Sequence, residues 1–465
     1  MDILSKARIA VWLLAGVAAS RLFANGGQGQ AAMSPADRSA FNQAVAAMDA
    51  GQTQQAETGL RGLIARYPAN GEISEELGLL YAGGGKLEQA LPYFEQACKS
   101  EPASAVNHAN LGAAWVKLNR PRQAAAELKI ATALDPNNGA TYSSLGQAYM
   151  LLQDAADAAP AFAQAARLEP SNADILYNWA VALNQIGRAA QAEKALAQIP
   201  EGEMSDEAES LAGDVEEALG HYLSAAEHYR KAATENPSED NLEALCTEYL
   251  RHWAWEDARR IAEYGATRYP ETAHLKLELG VALYGAKEFP AAATQFAALL
   301  QVNPGNTTYA DMLGRTCGEL PADNATCATL EDVAARPASN VEADVYAATR
   351  VLDRPHASAD LDHAQAWLLR ATAANPKMAN AWYELGMLYA ERADWPLCAR
   401  VLEKAIALRP DFASAHYQLA AAYGHLNDSA GRKRELALFQ AANEKEKRDV
   451  DSKVRDMVTF AANAR

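Results

Sequence analysis

One short stretch of the sequence gathers the side-chain types that bind metal ions in hydrolases. The eight residues HASADLDH contain two histidines and two aspartates, which are His356, Asp360, Asp362 and His363. Imidazole and carboxylate groups this close together could hold a metal ion that activates water. The alternative is that Ser358, Asp360 or Asp362 caps a following helix. We favour capping, because an apolar helical run that contains Trp367 begins directly afterwards.

Two further histidines, His221 and His228, lie seven residues apart and therefore share one face of a helix. A histidine pair without a third ligand is more typical of a surface than of a metal site. No nucleophile elbow, phosphate-binding glycine loop, dinucleotide-binding motif or HExxH motif occurs in the sequence. The sequence therefore predicts that the protein is not an enzyme and uses no cofactor, no metal and no small-molecule substrate.

The prolines explain how the chain is organised. Pro68, Pro102, Pro136 and Pro170 each follow an apolar helical run and are spaced by 34 residues. A proline removes a backbone donor and ends a helix, so an equal spacing indicates repeated helical units. The series continues, with small changes in spacing, at Pro200, Pro237, Pro270, Pro304, Pro337, Pro376 and Pro410.

The same residue types recur within each unit. One unit contains Leu77, Gly78, Tyr81, Ala90, Phe94, Ala97 and Pro102, and the unit that follows contains Leu111, Gly112, Trp115, Ala124, Leu128, Ala131 and Pro136. This pattern resembles the tetratricopeptide repeat over residues 37–430, in a protein of the bacterial exported type. The resemblance implies an all-α fold, a right-handed superhelical solenoid of antiparallel helix pairs with about 11–12 repeats.

The pattern also predicts a domain organisation. We expect a signal peptide or membrane anchor at 1–24, a linker at 25–36, about five repeats at 37–205, about three at 206–304, irregular repeats with an insertion at 305–376, further repeats at 377–430 and C-terminal capping helices at 431–465. No segment outside the repeats is long enough for a catalytic domain. A solenoid accommodates 465 residues because each unit packs only against its neighbours.

The five cysteines fall into two groups. Cys98, Cys246 and Cys398 lie at or beside packing positions of the repeat and are predicted to be buried. Cys317 and Cys327 are expected on the two helices of one irregular unit. If the protein is exported, a disulfide between them would stabilise it by roughly 2–3 kcal/mol. In a reducing compartment they would remain thiols.

In tetratricopeptide arrays the first helix of each pair lines the concave groove, and the resemblance assigns groove positions here. These are Asn110, Lys117, Ser143, Ser144, Gln147, Met150, Tyr177, Asn178 and Asn184 in the first half, and Tyr284, Tyr383, Met387 and Tyr417 in the second. Asn110, Ser144 and Asn178 occupy one position in three consecutive units. Such a polar ladder can bind the backbone of an extended peptide, unless these residues are merely tolerated at solvent positions.

The net charge of −17 makes nucleic acid an unfavourable partner, because phosphate contacts require clustered Lys and Arg. The one basic stretch, 431–465, is expected to be a terminal helix that caps the last repeat, with membrane-surface or partner contact as the alternative.

The N-terminus has the architecture of a signal peptide. Lys6 and Arg8 precede an apolar run from Ile9 to Ala19, which is short for a bilayer-spanning helix. We expect export to the periplasm or outside the cell, with cleavage after Ala19 or Ala24. The alternative is an uncleaved helix that anchors the protein to a membrane.

These observations favour a non-enzymatic scaffold that binds an extended polypeptide or a partner protein in the groove. Two alternatives differ in kind. One is a membrane-held factor for cell-envelope assembly, and the other is a metal-dependent hydrolase acting at His356 to His363.

Overall fold

The computed structural model describes residues 33–200, 202–337 and 339–446 together with 455, 458 and 459. Across these residues the fold is all-α, with 24 α-helices, one short 3-10 helix and no β-strand. The predicted all-α fold is therefore confirmed. The predicted N-terminal signal or anchor segment, 1–24, lies outside the described residues.

The chain divides into two compact units, unit 1 at Met1–Ala232 and unit 2 at Ala233–Arg465. The helices that begin in unit 1 are α1 Pro35–Asp49, α2 Thr53–Ile64, α3 Gly71–Gly83, α4 Leu87–Ser100, α5 Ala105–Lys117, α6 Pro121–Leu134, α7 Gly139–Leu151, α8 Ala155–Leu168, α9 Ala173–Gln185, α10 Ala189–Leu196, α11 Asp206–Leu219 and α12 Tyr222–Glu235.

Unit 2 continues the pattern with one irregular pair. Its helices are α13 Glu239–Arg251, α14 Trp255–Arg268, α15 Ala273–Gly285, α16 Phe289–Val302, α17 Thr307–Cys317, a 3-10 helix Ala325–Cys327, α18 Ala328–Ala334, α19 Val341–Leu352, α20 Ser358–Ala374, α21 Ala379–Glu391, α22 Trp395–Leu408, α23 Ala413–His425 and α24 Ser429–Glu446. Helix α24 packs on α23 as the second helix of the last pair, so residues 431–446 complete a repeat rather than form a separate cap.

A proline and an N-cap residue, repeated every 34 residues, determine where the first helix of each pair begins. The first helices of four consecutive pairs follow N-caps two residues after a proline: Asn70, Ser104, Asn138 and Asn172. Each cap side chain accepts a hydrogen bond from the backbone N–H three residues later, at 3.0–3.4 Å. The proline ends one helix and the cap begins the next, so each unit starts at a fixed residue.

Small residues allow the two helices of a pair to approach closely. A Cβ atom at Gly78 would lie 2.5 Å from the ring of Phe94, and one at Gly146 would lie 2.8 Å from the ring of Phe162. Both phenylalanines are almost fully buried. Glycine at this position is therefore required by packing across the hairpin.

The turn inside most pairs uses one residue with positive φ. Gly85, Asn119, Gln153 and Gly187, again 34 residues apart, have φ between 54° and 73°. Glycine and asparagine adopt this conformation with little strain, whereas Gln153 does so with strain.

The irregular pair departs from this plan for a packing reason. Gly314 on α17 faces the ring of Tyr346 on α19, which fills the place that a residue of the second helix fills elsewhere. The Tyr346 hydroxyl donates a hydrogen bond to Asp311 on α17, at 2.8 Å. A disulfide joins Cys317 to Cys327, whose Cα atoms are 5.9 Å apart, and ties the end of α17 to the 3-10 helix.

The other three cysteines, Cys98, Cys246 and Cys398, are buried, as predicted, and none of them forms a disulfide. None of the helices within the described ranges combines the length and apolar character needed to cross a bilayer.

Candidate functional site

In unit 1 the first helices of successive pairs contact one another directly, in the order α1, α3, α5, α7, α9 and α11. Second helices mainly contact the first helices on either side. The first helices are therefore the more closely spaced layer, and we call their outward surface from α5 to α11 the first-helix face. Eight of the nine predicted groove residues of unit 1 lie on this face, on α5, α7 and α9.

Three amide side chains of the first-helix face are largely buried. Asn110, Gln147 and Asn178, on consecutive first helices, are each less than a tenth exposed. Ser143, Ser144, Tyr177 and Asn184 are half-buried around them, and Lys117 is exposed at the end of α5. The face thus presents a recessed row of amides with hydroxyl groups beside it.

One amide of this row has unmet hydrogen-bonding capacity. The Nδ2 atom of Asn110 is buried and has no hydrogen-bond partner. One turn earlier on α5, both polar side-chain atoms of the fully buried Asn107 also lack partners. An unpaired buried polar group costs about 1–3 kcal/mol, so α5 carries an unsatisfied polar patch that a ligand could satisfy.

The other end of the first-helix face is acidic. Burial raises the pKa of the Tyr177 phenol to about 12, and the nearby carboxylates of Glu207, Asp214 and Asp206 add to the effect. These carboxylates belong to α11, the next first helix. The negative potential there favours a neutral or basic ligand.

Two predicted groove residues are corrected to packing residues. Met150 lies in the apolar core of unit 1, and Tyr284 lies in the core of unit 2, where its ring meets Phe289 edge-on at 5.2 Å. Each is near the end of its first helix, where the side chain turns toward the following elements. They contribute to stability rather than to an open surface.

The other three predicted groove residues of unit 2 are partly covered by neighbouring side chains. The ring of the half-buried Tyr383 lies 4.8 Å from that of Phe412, over which the guanidinium of Arg409 sits. Met387 is half-buried. Tyr417 is half exposed, and its ring lies 5.4 Å from Phe439. Of the four predicted contact residues in unit 2, Tyr417 offers the most free surface.

The histidines and aspartates of 356–363 do not converge. His356 Nδ1 lies 2.8 Å from the carbonyl oxygen of Arg354, and His363 stacks on Trp367. Asp360 accepts a hydrogen bond from the N–H of Ala357 at the start of α20, which is the predicted capping role. Asp362 instead pairs with Arg392. The geometry thus favours the capping interpretation over a hydrolytic metal site.

His221 and His228 also have separate partners. Nδ1 of His221 lies 2.8 Å from Glu216, and Nδ1 of His228 lies 2.6 Å from Glu209. The His228 pair is one of three with the same spacing of 19 residues, the others being His108 with Glu127 and His416 with Glu435. Each pair links the two helices of one hairpin.

Sequence reasoning did not identify a cluster around the first of these pairs. Cys98, His108 and Glu127 each offer a ligand atom, and all three atoms lie within 4.8 Å of one another. In the described part of the chain no other set of three such residues comes as close together. Burial and the adjacent Glu127 raise the pKa of the Cys98 thiol to about 12, so the free thiol is protonated at neutral pH. The available sequence signal was the shared spacing of the three His–Glu pairs.

Comparison with known families agrees with the repeat pattern. Two models of the tetratricopeptide repeat match the chain, one at 41–105 and 247–307 and the other at 81–148 and 149–214. Together they span half of the sequence. No curated protein matches the sequence.

Several solved structures resemble parts of the chain. PilF of Pseudomonas aeruginosa is 17% identical, with a TM-score of 0.38 over 44% of this chain and 93% of its own. YrrB, described as a TPR protein with an unusual peptide-binding site, is 19% identical, with a TM-score of 0.37 over 40% of this chain and 95% of its own. TTC0263 of Thermus thermophilus is 23% identical, with a TM-score of 0.29 over 36% and 93%. Values this low carry no information on function.

Proposed function

The chain belongs to the tetratricopeptide repeat family, and on that premise we propose that it binds an extended segment of a partner protein along the first-helix face of unit 1. A protein-interaction scaffold is the role that the repeats support. The proposed activity is non-enzymatic, and binding alone requires no cofactor.

The unpaired Nδ2 of Asn110 is the observation that carries this proposal. Burying an amide hydrogen without an acceptor destabilises the free protein, whereas a carbonyl group of a bound peptide would supply that acceptor. An extended peptide presents carbonyl groups at regular intervals, and Gln147 and Asn178 continue the amide row on α7 and α9. Recognition through the peptide backbone would make the site tolerant of side-chain sequence.

Charge narrows the class of partner. The carboxylates of Asp206, Glu207 and Asp214 surround the Tyr177 end of the face, and the whole chain carries a net charge of −17. We therefore propose that the bound segment is neutral to basic, with its positive residues toward α11. Attraction between exposed charges is screened by salt, so the affinity should fall as ionic strength rises.

The first experiment is cross-linking capture from an extract of the native host. It compares the natural protein, an Asn110→Ala/Asn178→Ala variant, and Asn137→Ala as a control that alters an exposed asparagine in the turn before α7. Two lost hydrogen bonds, at about 1 kcal/mol each, predict roughly thirty-fold weaker capture by the double variant.

The control variant should capture the partner as well as the natural protein does. A synthetic peptide of the cross-linked segment then allows the affinity to be measured by titration at low and high salt. Equal affinities of the double variant and the control would refute the amide row as the binding site, and salt-independent binding would refute the charge assignment.

A further inference from the structure

Three different metal-binding side chains meet where two hairpins of unit 1 join. Cys98 comes from the last turn of α4, His108 from the first turn of α5 and Glu127 from the middle of α6. Their ligand atoms lie within 4.8 Å of one another. Ligands at about 2.0–2.3 Å around a tetrahedral zinc ion are themselves about 3.3–3.8 Å apart, so an ion would require the Glu127 carboxylate to move slightly away from His108 and the thiol to turn toward both.

The imidazole of His108 is oriented as metal-binding histidines commonly are. Its Nε2 lies 3.2 Å from the carbonyl oxygen of Pro102. A carbonyl oxygen only accepts, so Nε2 carries the hydrogen. Nδ1 then points at Oε2 of Glu127, 2.6 Å away. At 2.6 Å the two atoms are in direct contact, so a metal ion would have to move the carboxylate away from Nδ1 while Nε2 keeps its carbonyl partner.

The same chain contains a matched pair without the thiol. His416 lies 2.7 Å from Glu435 through Nδ1 and 2.9 Å from the carbonyl oxygen of Pro410 through Nε2. Ile406 precedes His416 by ten residues, as Cys98 precedes His108. Arg434 also bonds to Glu435, at 2.9 Å. At His416 the guanidinium of Arg434 supplies positive charge beside Glu435, and the arrangement is a polar contact between the two helices of one hairpin.

The His108 site differs from the His416 site in two ways, the presence of a sulfur ligand and the charge of the neighbouring groups. Cys98 adds a sulfur ligand, and the nearest charged neighbours of the thiol are carboxylates, namely Glu127, Glu75 and Glu95. His108 and Cys98 are less than a tenth exposed, whereas about a quarter of the Glu127 side chain reaches solvent. An ion can therefore enter past Glu127 and bind in a largely dry cluster.

We propose that Cys98, His108 and Glu127 bind a zinc ion, with water as the fourth ligand. Binding displaces the thiol proton, which passes to solvent. The ion links the last turn of one hairpin to both helices of the next. It therefore fixes α5, the helix that carries Asn107 and Asn110, although the proposal does not depend on peptide binding.

The test uses the full chain, stripped with a chelator and handled without oxygen. Zn²⁺ is titrated against a chromophoric chelator, and Co²⁺ is then added as a spectroscopic probe. We expect one equivalent of Zn²⁺ to bind and release a proton, and Co²⁺ to show a thiolate charge-transfer band with four-coordinate d–d bands. Cys98→Ala should abolish the charge-transfer band, and His108→Gln or Glu127→Gln should weaken Zn²⁺ binding at least about tenfold.

His416→Gln is the matched control and should leave Zn²⁺ affinity unchanged, because its pair lacks a thiol. Circular dichroism of the metal-free variants establishes that each is folded. If Cys98→Ala does not fold, Glu127→Gln, which changes the most exposed ligand, replaces it as the test of Zn²⁺ affinity. The proposal is overturned if the natural protein binds no Zn²⁺ at micromolar concentration, if Co²⁺ gives no thiolate band, or if His416→Gln and Cys98→Ala weaken binding equally.

Discussion

At the residue scale, the repeat period determines even the strained positions. The turns inside the regular hairpins of unit 1 use one residue with positive φ, and the period places Gln153 there, with φ of 60°. The sequence alone does not reveal that strain, because a turn is predicted equally well from its polar composition. Gln153 shares its positive φ with Gly85 and Gly187 but carries a Cβ atom, and the backbone angle is what shows the strain.

The strain at Gln153 leads to a prediction. Gln153→Gly should raise the free energy of unfolding by about 1 kcal/mol, because glycine adopts the left-handed conformation without a Cβ clash. The complementary change, Gly187→Ala, at φ of 72°, should lower it by a similar amount. Chemical denaturation measures both, and a destabilising Gln153→Gly would contradict the argument.

The groove residues illustrate what the sequence could not decide. The repeat register correctly placed Asn110, Ser144 and Asn178 on first helices, because the register depends only on spacing. It did not predict that the amides are recessed or that Met150 and Tyr284 are core residues. Depth depends on how neighbouring helices pack, and that information is spread over several units.

At the element scale, hairpin formation was predictable where proline, cap and glycine recur together. It was less predictable in the irregular region, where Tyr346 of α19 packs on Gly314 of α17. In a regular pair the glycine of the first helix faces the second helix of the same pair, as Gly78 faces Phe94. The cause of the difference is the shortness of α18, which has seven residues and leaves the space open.

A buried carboxyl group between elements of unit 2 makes stability depend on pH. Desolvation and, after it, the nearby Asp353 raise the pKa of Glu384 on α21 to about 8, although a hydrogen bond with Thr349 on α19 acts in the opposite direction. The folded state therefore retains a proton that the unfolded chain, with a pKa of 4.5, loses. Stability is fully present below that value and falls as the pH rises toward about 8.

Glu384→Gln removes this titration, because glutamine stays neutral. We expect the variant to have a higher melting temperature than the natural protein at pH 8, and a smaller difference at pH 5. Glu271→Gln, which changes an exposed carboxylate, is the control and should leave the pH profile unaltered. Parallel pH profiles of the natural protein and Glu384→Gln would contradict the assignment.

At the scale of the whole molecule, the two units differ in covalent reinforcement. The Cys317–Cys327 disulfide lies in unit 2, whereas the free thiol Cys98 lies in unit 1. A cross-link over ten residues stabilises mainly by restricting the unfolded chain. The disulfide should therefore stabilise unit 2 and leave the stability of unit 1 unchanged.

Cys317→Ser/Cys327→Ser tests this. We expect a loss of roughly 2–3 kcal/mol, seen as weaker amide protection in α17 to α19, with α5 to α9 unchanged in a hydrogen-exchange experiment. Cys246→Ser changes a buried cysteine of the same unit that forms no disulfide, and it therefore distinguishes the effect of losing a thiol from the effect of losing the cross-link. Equal loss of protection in both units would show that they unfold together.

The three His–Glu pairs also bear on how such a chain can change over generations. Each pair lies inside one hairpin, and the order is reversed in Glu209 and His228, so duplication, deletion or shuffling of hairpins leaves every pair whole. The thiol of Cys98 comes from the preceding hairpin and has no such independence. Moving a single repeat would separate Cys98 from His108 and Glu127, so this cluster depends on the order of its two hairpins.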